Sequence, residues 1–340
     1  MLGYTSAPDS YWQSIIDWVS RRHGLKIERE ELAFVPGVVR GIAFAVNFFT
    51  RPGDKIVIQP PVYHPFRIVP EGNGRTVIEN PLIENTSGSG SFYLMDLEGL
   101  EEIFATEKPR MMILCNPHNP AGVQWDRETL AAVARLAKRY GVTVVSDEIH
   151  SDLMMGGIRH IPFLASCPEA AEVSITFGAP SKTFNIAGLE SSWMVVRNPK
   201  LREPFYKWME VNEFSSPSFT AWIGAEAAYT YGEEWLDRMI AYVEANADAL
   251  DQFCAEKMPE IKPIRPEASF LSWLDCRGLG LTQSELVNLF IEHAGLALND
   301  GTMFGRQGAG FMRLNLGLPR RQLLEAMCHL ATALHESVEA

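Results

Sequence analysis

The sequence predicts an α/β fold, with a large domain over residues 1–240 built on a mainly parallel sheet and a smaller α+β domain over 241–340. Three observations carry this. Short apolar, β-branched runs alternate with amphipathic helical patterns through the first two thirds of the chain, as strand–helix–strand crossovers require. The alternation stops near residue 230, where a long helical stretch, strand-like runs and a closing helix follow. A length of 340 residues suits one large domain plus a smaller one.

The first helix has Asp9 or Ser10 as its cap, an apolar stripe of Trp12, Ile15, Ile16 and Val19, and the cations and glycine of "RRHG" at its end. A second helix follows "VPGVV" and runs through "RGIAFAVNFF" until Pro52-Gly53 breaks it. Strands are expected at "KIVIQ" (55–59), "RMMILC" (110–115), "VTVVSD" (142–147), "SITF" (174–177) and "SSWMVV" (191–196). Between the second and third of these, Asp126 caps "RETLAAVARLAKRYG", whose last turn carries Lys138 and Arg139 before Gly141. The long helix is "GEEWLDRMIAYVEANADALDQFCAEK"; "SFLSWLD" follows, and a capping box, Thr282 with Glu285, opens "SELVNLFIEHAG". In "FMRLNLG", alternation puts Met312, Leu314 and Leu316 on the core face and Phe311, Arg313 and Asn315 towards solvent or a cleft. "RRQLLEAMCHLATALHESV" closes the chain as an amphipathic helix.

The net charge of −12 argues against a nucleic-acid footprint and against adhesion to anionic membranes. Five scattered cysteines without a C-x-x-C fit reduced thiols better than a disulfide framework or a zinc site. No apolar run approaches the roughly 18 residues of a membrane span, and "MLGYTSAPDS" lacks the basic and apolar regions of a signal peptide. A cytoplasmic location is the expectation.

In open α/β sheets, ligands bind beyond the carboxyl ends of the strands. After "MMILC" come Asn116, His118 and Asn119 in the proline-stiffened loop "NPHNPAG"; after "VTVVS" come Asp147, Glu148 and His150; after "SITF" come Ser181 and Lys182. Each alone is compatible with a turn, a solvated strand exit or a surface charge. An amide, a carboxylate and an amine at three consecutive strand ends point together to a site.

"NPHNPAG", "SDEIH" and "APSKTFNIAGL", in this order and spacing, resemble the fold-type I pyridoxal-phosphate enzymes of the aspartate-aminotransferase superfamily. The nearest branch is the MalY/PatB-type cystathionine β-lyases, or C–S lyases. "GYTSAPDSYWQSIIDWVSRRHG", "PGVVRGI", "PPVYHPF", "YGEEWLD" and "LNDGTMFGRQGAGFMRLNLGLPR" extend the likeness over nearly the whole chain. It implies a large domain of the PLP-dependent transferase type, pyridoxal 5′-phosphate as cofactor and an amino acid as substrate.

The same resemblance implies roles. Lys182 is the Schiff-base residue that carries the cofactor and moves the substrate's α-proton. Asp147 pairs with the pyridine nitrogen, so that the ring can accept the electrons of a carbanion. Asn119 bonds the cofactor's O3′ beside the substrate. His150 stands where many aminotransferases carry a tyrosine and the C–S lyase branch tends to carry histidine; the alternative is a helix-start histidine with no role. Tyr63 stacks on the ring, the alternative being a core tyrosine. The backbone N–H groups of Gly37, Val38 and Val39 bind the phosphate at a helix start, with the Ser181 hydroxyl. Tyr4 reaches the phosphate of a neighbouring subunit, which implies a homodimer. Arg313 grips the substrate carboxylate with two prongs, which lysine does not reproduce.

Two departures stand out. Glu190 occupies a position, eight residues after Lys182, where many aminotransferases bind the phosphate with an arginine, so reliance on amides, Ser181 and Tyr4 is expected. Family members usually carry several tens of residues ahead of "GYT", including an arm that closes over the substrate, and contacts from that arm are expected to be absent. The reaction implied is β-elimination from a cysteine S-conjugate such as cystathionine, giving a thiol, pyruvate and ammonia. Transamination is the alternative, and a non-catalytic cofactor-bearing scaffold is a second one.

Overall fold

Apolar runs of four or five residues, too short for helices, pair into the central sheet. In the computed structural model, which describes residues 5–87 and 90–339, its strands are β1 (Leu32–Val35), β2 (Lys55–Ile58), β3 (Thr76–Glu79), β4 (Met111–Cys115), β5 (Thr143–Asp147), β6 (Ser174–Gly178) and β7 (Ser192–Val195). Their spatial order is β1-β7-β6-β5-β4-β2-β3. Neighbours from β3 to β6 pair in parallel, while β7 runs antiparallel to both β6 and β1. All five expected strands are present, and β1 and β3 are additional. Every residue of β4 and β6 is buried, because helices cover both faces of the sheet.

Helix α1 (Asp9–His23) begins one residue earlier than a side-chain cap would place it. Pro8, with extended backbone, occupies the cap position, and neither Asp9 nor Ser10 caps the helix. Asp9 instead lies in the first turn, where a carboxylate favours the positive end of the helix. Its buried residues are Tyr11, Ile15, Trp18 and Val19, so the inward stripe is rotated from the expected one, and Trp12 and Ile16 are only partly buried. Gly24 closes the helix in the left-handed conformation, φ 66°. Helices α2 (Val38–Phe49) and α3 (Arg127–Tyr140) follow the sequence reading, with Asp126 accepting from the Thr129 N–H and Gly141 as the left-handed C-cap.

The second sheet is antiparallel, in the order β8 (Lys262–Ile264), β9 (Leu271–Asp275), β11 (Phe311–Asn315), β10 (Asn299–Asp300). Met312, Leu314 and Leu316 are buried against α4 (Glu233–Lys257) and the closing helix α5 (Arg320–Glu339). Phe311 departs from expectation. It is buried rather than facing a cleft, because its ring stacks on Trp273 at 5.1 Å and joins the core of the large sheet. The Thr282–Glu285 capping box forms, though its helix is only Gln283–Asn288 before a π-turn at Leu289–His293. Helix α4 carries the chain across: Leu236 packs with Trp18 and Tyr229, while Val243, Ala247 and Leu250 pack under the second sheet.

Candidate active site

Three strand ends and one helix start define the site. β5 delivers Asp147 as its last residue, and β6 leads through Gly178 into the single turn Pro180–Thr183 that carries Lys182. The loop after β4 brings Asn119 alongside Tyr63, whose backbone N–H donates to the Asn119 carbonyl at 3.1 Å. Helix α2 begins at Val38 behind Gly37, whose φ of 105° is a backbone state that other residues rarely adopt. No side chain caps this helix, which leaves its first N–H groups open to a ligand. Gly41 lets α2 lie directly on the sheet, since a Cβ there would stand 2.5 Å from the Phe177 ring.

A cavity of about 490 Å3 opens over these ends and is lined by Val38, Val39, Tyr63, Asn119, Asp147, His150, Ser181, Lys182 and Arg313. Sequence reasoning names all nine, and the fold brings them to one place. Tyr4 lies outside the described residues. Asn116, His118 and Glu148, the other polar groups at the strand ends, do not line the cavity and serve the interior. Glu148 is bonded to His160 Nε2 at 2.9 Å and to the Phe163 N–H at 2.8 Å. The Asn116 amide donates to the Ile161 carbonyl, and His118 Nε2 lies 3.2 Å from the Gln59 carbonyl oxygen.

Burial sets the electrostatics. Removal from water pushes the Asp147 carboxyl up to about 7, aided by Glu148 and opposed by the Ile149 N–H and the Lys182 charge. Among the described residues its side chain accepts that one hydrogen bond and has no ion-pair partner. His150 is pushed down to about 3 by burial and by the charges of Lys182 and Arg313, so its ring is neutral, and its Nδ1 is buried without a partner. Burial also raises the Tyr63 phenol and lowers Arg313 to about 10, which leaves the guanidinium cationic at neutral pH.

Arg313 reaches the site from the second sheet. Its Nη1 donates to Asn119 Oδ1 at 2.9 Å, its Nη2 to Asn299 Oδ1 at 2.7 Å, and Phe304 lies under it at 4.7 Å. Both partners are neutral amides, so among the described residues the positive charge has no acidic partner. With its oxygen already accepting from Arg313, this amide still has its N–H groups to offer a ligand.

The site holds more than the sequence reading found. His64, Arg40, Ser192, Phe270 and Asn315 also line the cavity. His64 adjoins Tyr63 in "PPVYHPF" and was legible by position; Asn315, the last residue of β11, lies on the cleft-facing side that alternation gives it, and Phe270, just before β9, required the second sheet to be placed. Asn299 required the pairing of β10 with β11, in which it stands opposite Arg313. Behind the Lys182 turn lies a second unforeseen group: Asp152 accepts from Thr183 Oγ1 at 2.8 Å and Trp18 Nε1 at 2.9 Å, with His23 Nε2 at 2.9 Å.

Residues 3–330 match the family model Aminotransferase class I and II. The chain belongs to this family. Within it, the chain is 40% identical over 334 residues to the cystathionine β-lyase PatB of Bacillus subtilis (strain 168), covering 98% of this chain and 85% of PatB. Protein MalY of Escherichia coli (strain K12) is 31% identical, over 96% of this chain and 82% of MalY. The MalY/PatB resemblance is borne out. Among solved structures, cystalysin from Treponema denticola, which contains a pyridoxal 5′-phosphate cofactor, superposes with a TM-score of 0.94 at 32% identity, over 99% of this chain and 84% of that one. The fold class is that of the class I and II aminotransferases, a mixed and mostly parallel sheet between helices. Among the described residues no His, Cys, Asp or Glu cluster could hold a metal ion, all five cysteines are free, and no helix is long and apolar enough to cross a membrane.

Proposed function

We propose that this chain is a pyridoxal-phosphate-dependent C–S lyase that splits cysteine S-conjugates such as L-cystathionine into a thiol, pyruvate and ammonia. One observation carries the reading: an amine, a buried acid and a guanidinium with no acidic partner among the described residues line a single cavity, in a chain 40% identical to a cystathionine β-lyase. The residues suit the cofactor. A buried carboxylate without a cation suits a protonated ring nitrogen, the uncapped start of α2 suits a phosphate, and the orphaned His150 Nδ1 lies at the same cavity. Asp147 would hold the ring nitrogen, Asn119 the O3′, Tyr63 the ring face, and Val38, Val39 and Ser181 the phosphate. When bound, the cofactor supplies an electron sink for the charge left on the substrate's Cα.

The protein's own groups do the rest. Arg313 would hold the α-carboxylate and so orient the Cα–H bond towards Lys182. Lys182 accepts the proton from Cα, and the sulfur departs from Cβ with the electron pair of the C–S bond. Hydrolysis of the remaining three-carbon fragment yields pyruvate and ammonia. His150, pushed down to about 3 by burial and by the nearby charges, is too weak a base to compete with Lys182 for the proton.

L-cystathionine supplied without any oxo acid is expected to give pyruvate and thiol over many turnovers. Strict dependence on 2-oxoglutarate would overturn the lyase in favour of transamination. The same reading makes the functional unit a cytoplasmic homodimer with Tyr4 at the neighbouring phosphate, and a purely monomeric species by sedimentation at assay concentration would contradict it.

A further inference from the structure

An ion pair at the phosphate end of the cavity is left unused by the reaction. Glu190 has a left-handed backbone, φ 51°, at the end of the turn Ala187–Leu189 that follows Lys182. Its two carboxylate oxygens accept from Arg40 Nη1 at 2.6 Å and Nη2 at 2.8 Å. Arg40 lies in the first turn of α2, and its Nη1 also donates to the Pro36 carbonyl at 3.0 Å. Both side chains are 54% exposed, and an ion pair so exposed contributes little to stability. Stability therefore gives no reason to hold a glutamate in a backbone state that disfavours it.

The geometry of the guanidinium supplies a reason. Its five N–H bonds lie in one plane and form two forks. The contacts to Glu190 and Pro36 take the end fork, between the two Nη atoms, and the remaining N–H of Nη1. Left over is the side fork, Nε–H together with the second N–H of Nη2, two parallel donors that match two oxygens of a phosphate. Arg40 and Glu190 line the cavity together with Gly37, Val38, Val39 and Ser181.

We propose that Arg40 is a cofactor-binding residue whose side fork engages the phosphate, and that Glu190 holds the guanidinium in that orientation. This rests on the pyridoxal-phosphate reading of the same cavity. The cation that many aminotransferases carry at position 190 is here moved to the first turn of α2, and position 190 carries its support. The expected reliance on amides, Ser181 and Tyr4 alone is then incomplete.

The test compares pyridoxal 5′-phosphate with pyridoxal, which lacks the phosphate. Cofactor-free protein is titrated with each, and binding is read by equilibrium dialysis and by the visible band of the lysine-bound chromophore. Arg40→Gln is expected to raise the Kd for pyridoxal phosphate about tenfold and to leave pyridoxal binding unchanged. Arg40→Lys should recover only part of the loss, since an ammonium presents no fork, and Glu190→Gln should weaken binding by less than Arg40→Gln. No change in Arg40→Gln, or equal weakening for both ligands, overturns the assignment of Arg40. Tighter phosphate-dependent binding in Glu190→Gln overturns the supporting role. A wild-type protein that binds neither ligand overturns the cofactor reading itself, a result distinct from the others.

Discussion

At the scale of single side chains, the cavity is governed by a mismatch between charge and burial. Asp147 has lost its water and, in the cofactor-free chain, has gained no cation in exchange. Its folded-state acidity lies near 7 against an ordinary value of 3.8, so the folded state binds the proton more tightly than the unfolded one. Its contribution to stability is therefore full at pH below about 4 and is lost as the pH rises to about 7, at about 1.4 kcal/mol for each step of one in pH. Asp147→Asn, which mimics the protonated side chain, is expected to be more stable than the wild type at pH 8 when both lack cofactor, and equal to it near pH 4. Urea denaturation at the two pH values checks this, and a wild type that gains stability relative to the variant on going to pH 8 would contradict it. Lys182→Ala is expected to lose both the visible cofactor band and pyruvate release from cystathionine; normal turnover by this variant would show that Lys182 is not the proton acceptor.

Elements determine whether those side chains meet. Helix α2 aims its start at the cavity only because Gly41 allows it to rest on Phe177. Gly41→Ala gains about 1 kcal/mol of helix propensity but forces a methyl group into the ring. Net destabilisation of about 1–3 kcal/mol is expected from overpacking, with weaker cofactor retention, measurable by thermal melts of apo- and holoprotein. The Lys182 turn is anchored in a different way. Burial by itself would raise the Asp152 carboxyl, but His23, Thr183 and Trp18 together hold it below the usual carboxylate range. With the folded value depressed, its contribution is present above the ordinary carboxylate range and is lost as the pH falls through the folded value. Thr183→Val removes one donor to a buried anion, and a loss of about 1.5–3 kcal/mol is expected at neutral pH. That loss should narrow on acidification, and a pH-independent loss would point to packing alone.

The contrast between these two elements shows what the sequence can express. The strands β2, β4, β5, β6 and β7 and helix α3 were legible because local patterns set them: apolar runs, a capping aspartate, a left-handed glycine. β3 was not, since it is a partly exposed edge strand of four residues whose pairing with β2 is decided by its neighbour. The nine described site residues were legible because strand ends and family motifs mark them. The Asp152 group was not, because His23 and Trp18 lie 129 and 134 residues away and nothing local to either announces the contact. Phe311 was misassigned for the same reason: alternation gives its face in β11, but only the tertiary fold supplies Trp273 as its cover.

For the whole molecule, the decisive connection is Arg313, which stands in the second sheet and holds an amide from each side of the cleft. Lysine keeps the charge there but loses the fork and one of the two amides. Arg313→Lys is thus expected to raise KM for cystathionine by roughly 10- to 100-fold, from the loss of one charge-assisted hydrogen bond or more, with a smaller fall in kcat. Steady-state kinetics separate the two, and an unchanged KM would remove Arg313 from carboxylate binding.

The solitary acid at the end of β5 also bears on how long a molecule survives. A chain that has folded without its cofactor retains an unneutralised buried group at neutral pH, so it opens more often than the loaded form, and proteases act on opened molecules. Vitamin-starved cells should therefore clear this protein faster than replete ones, and the difference should be smaller for the Asp147→Asn chain, whose cofactor-free form buries no ionisable group at this position.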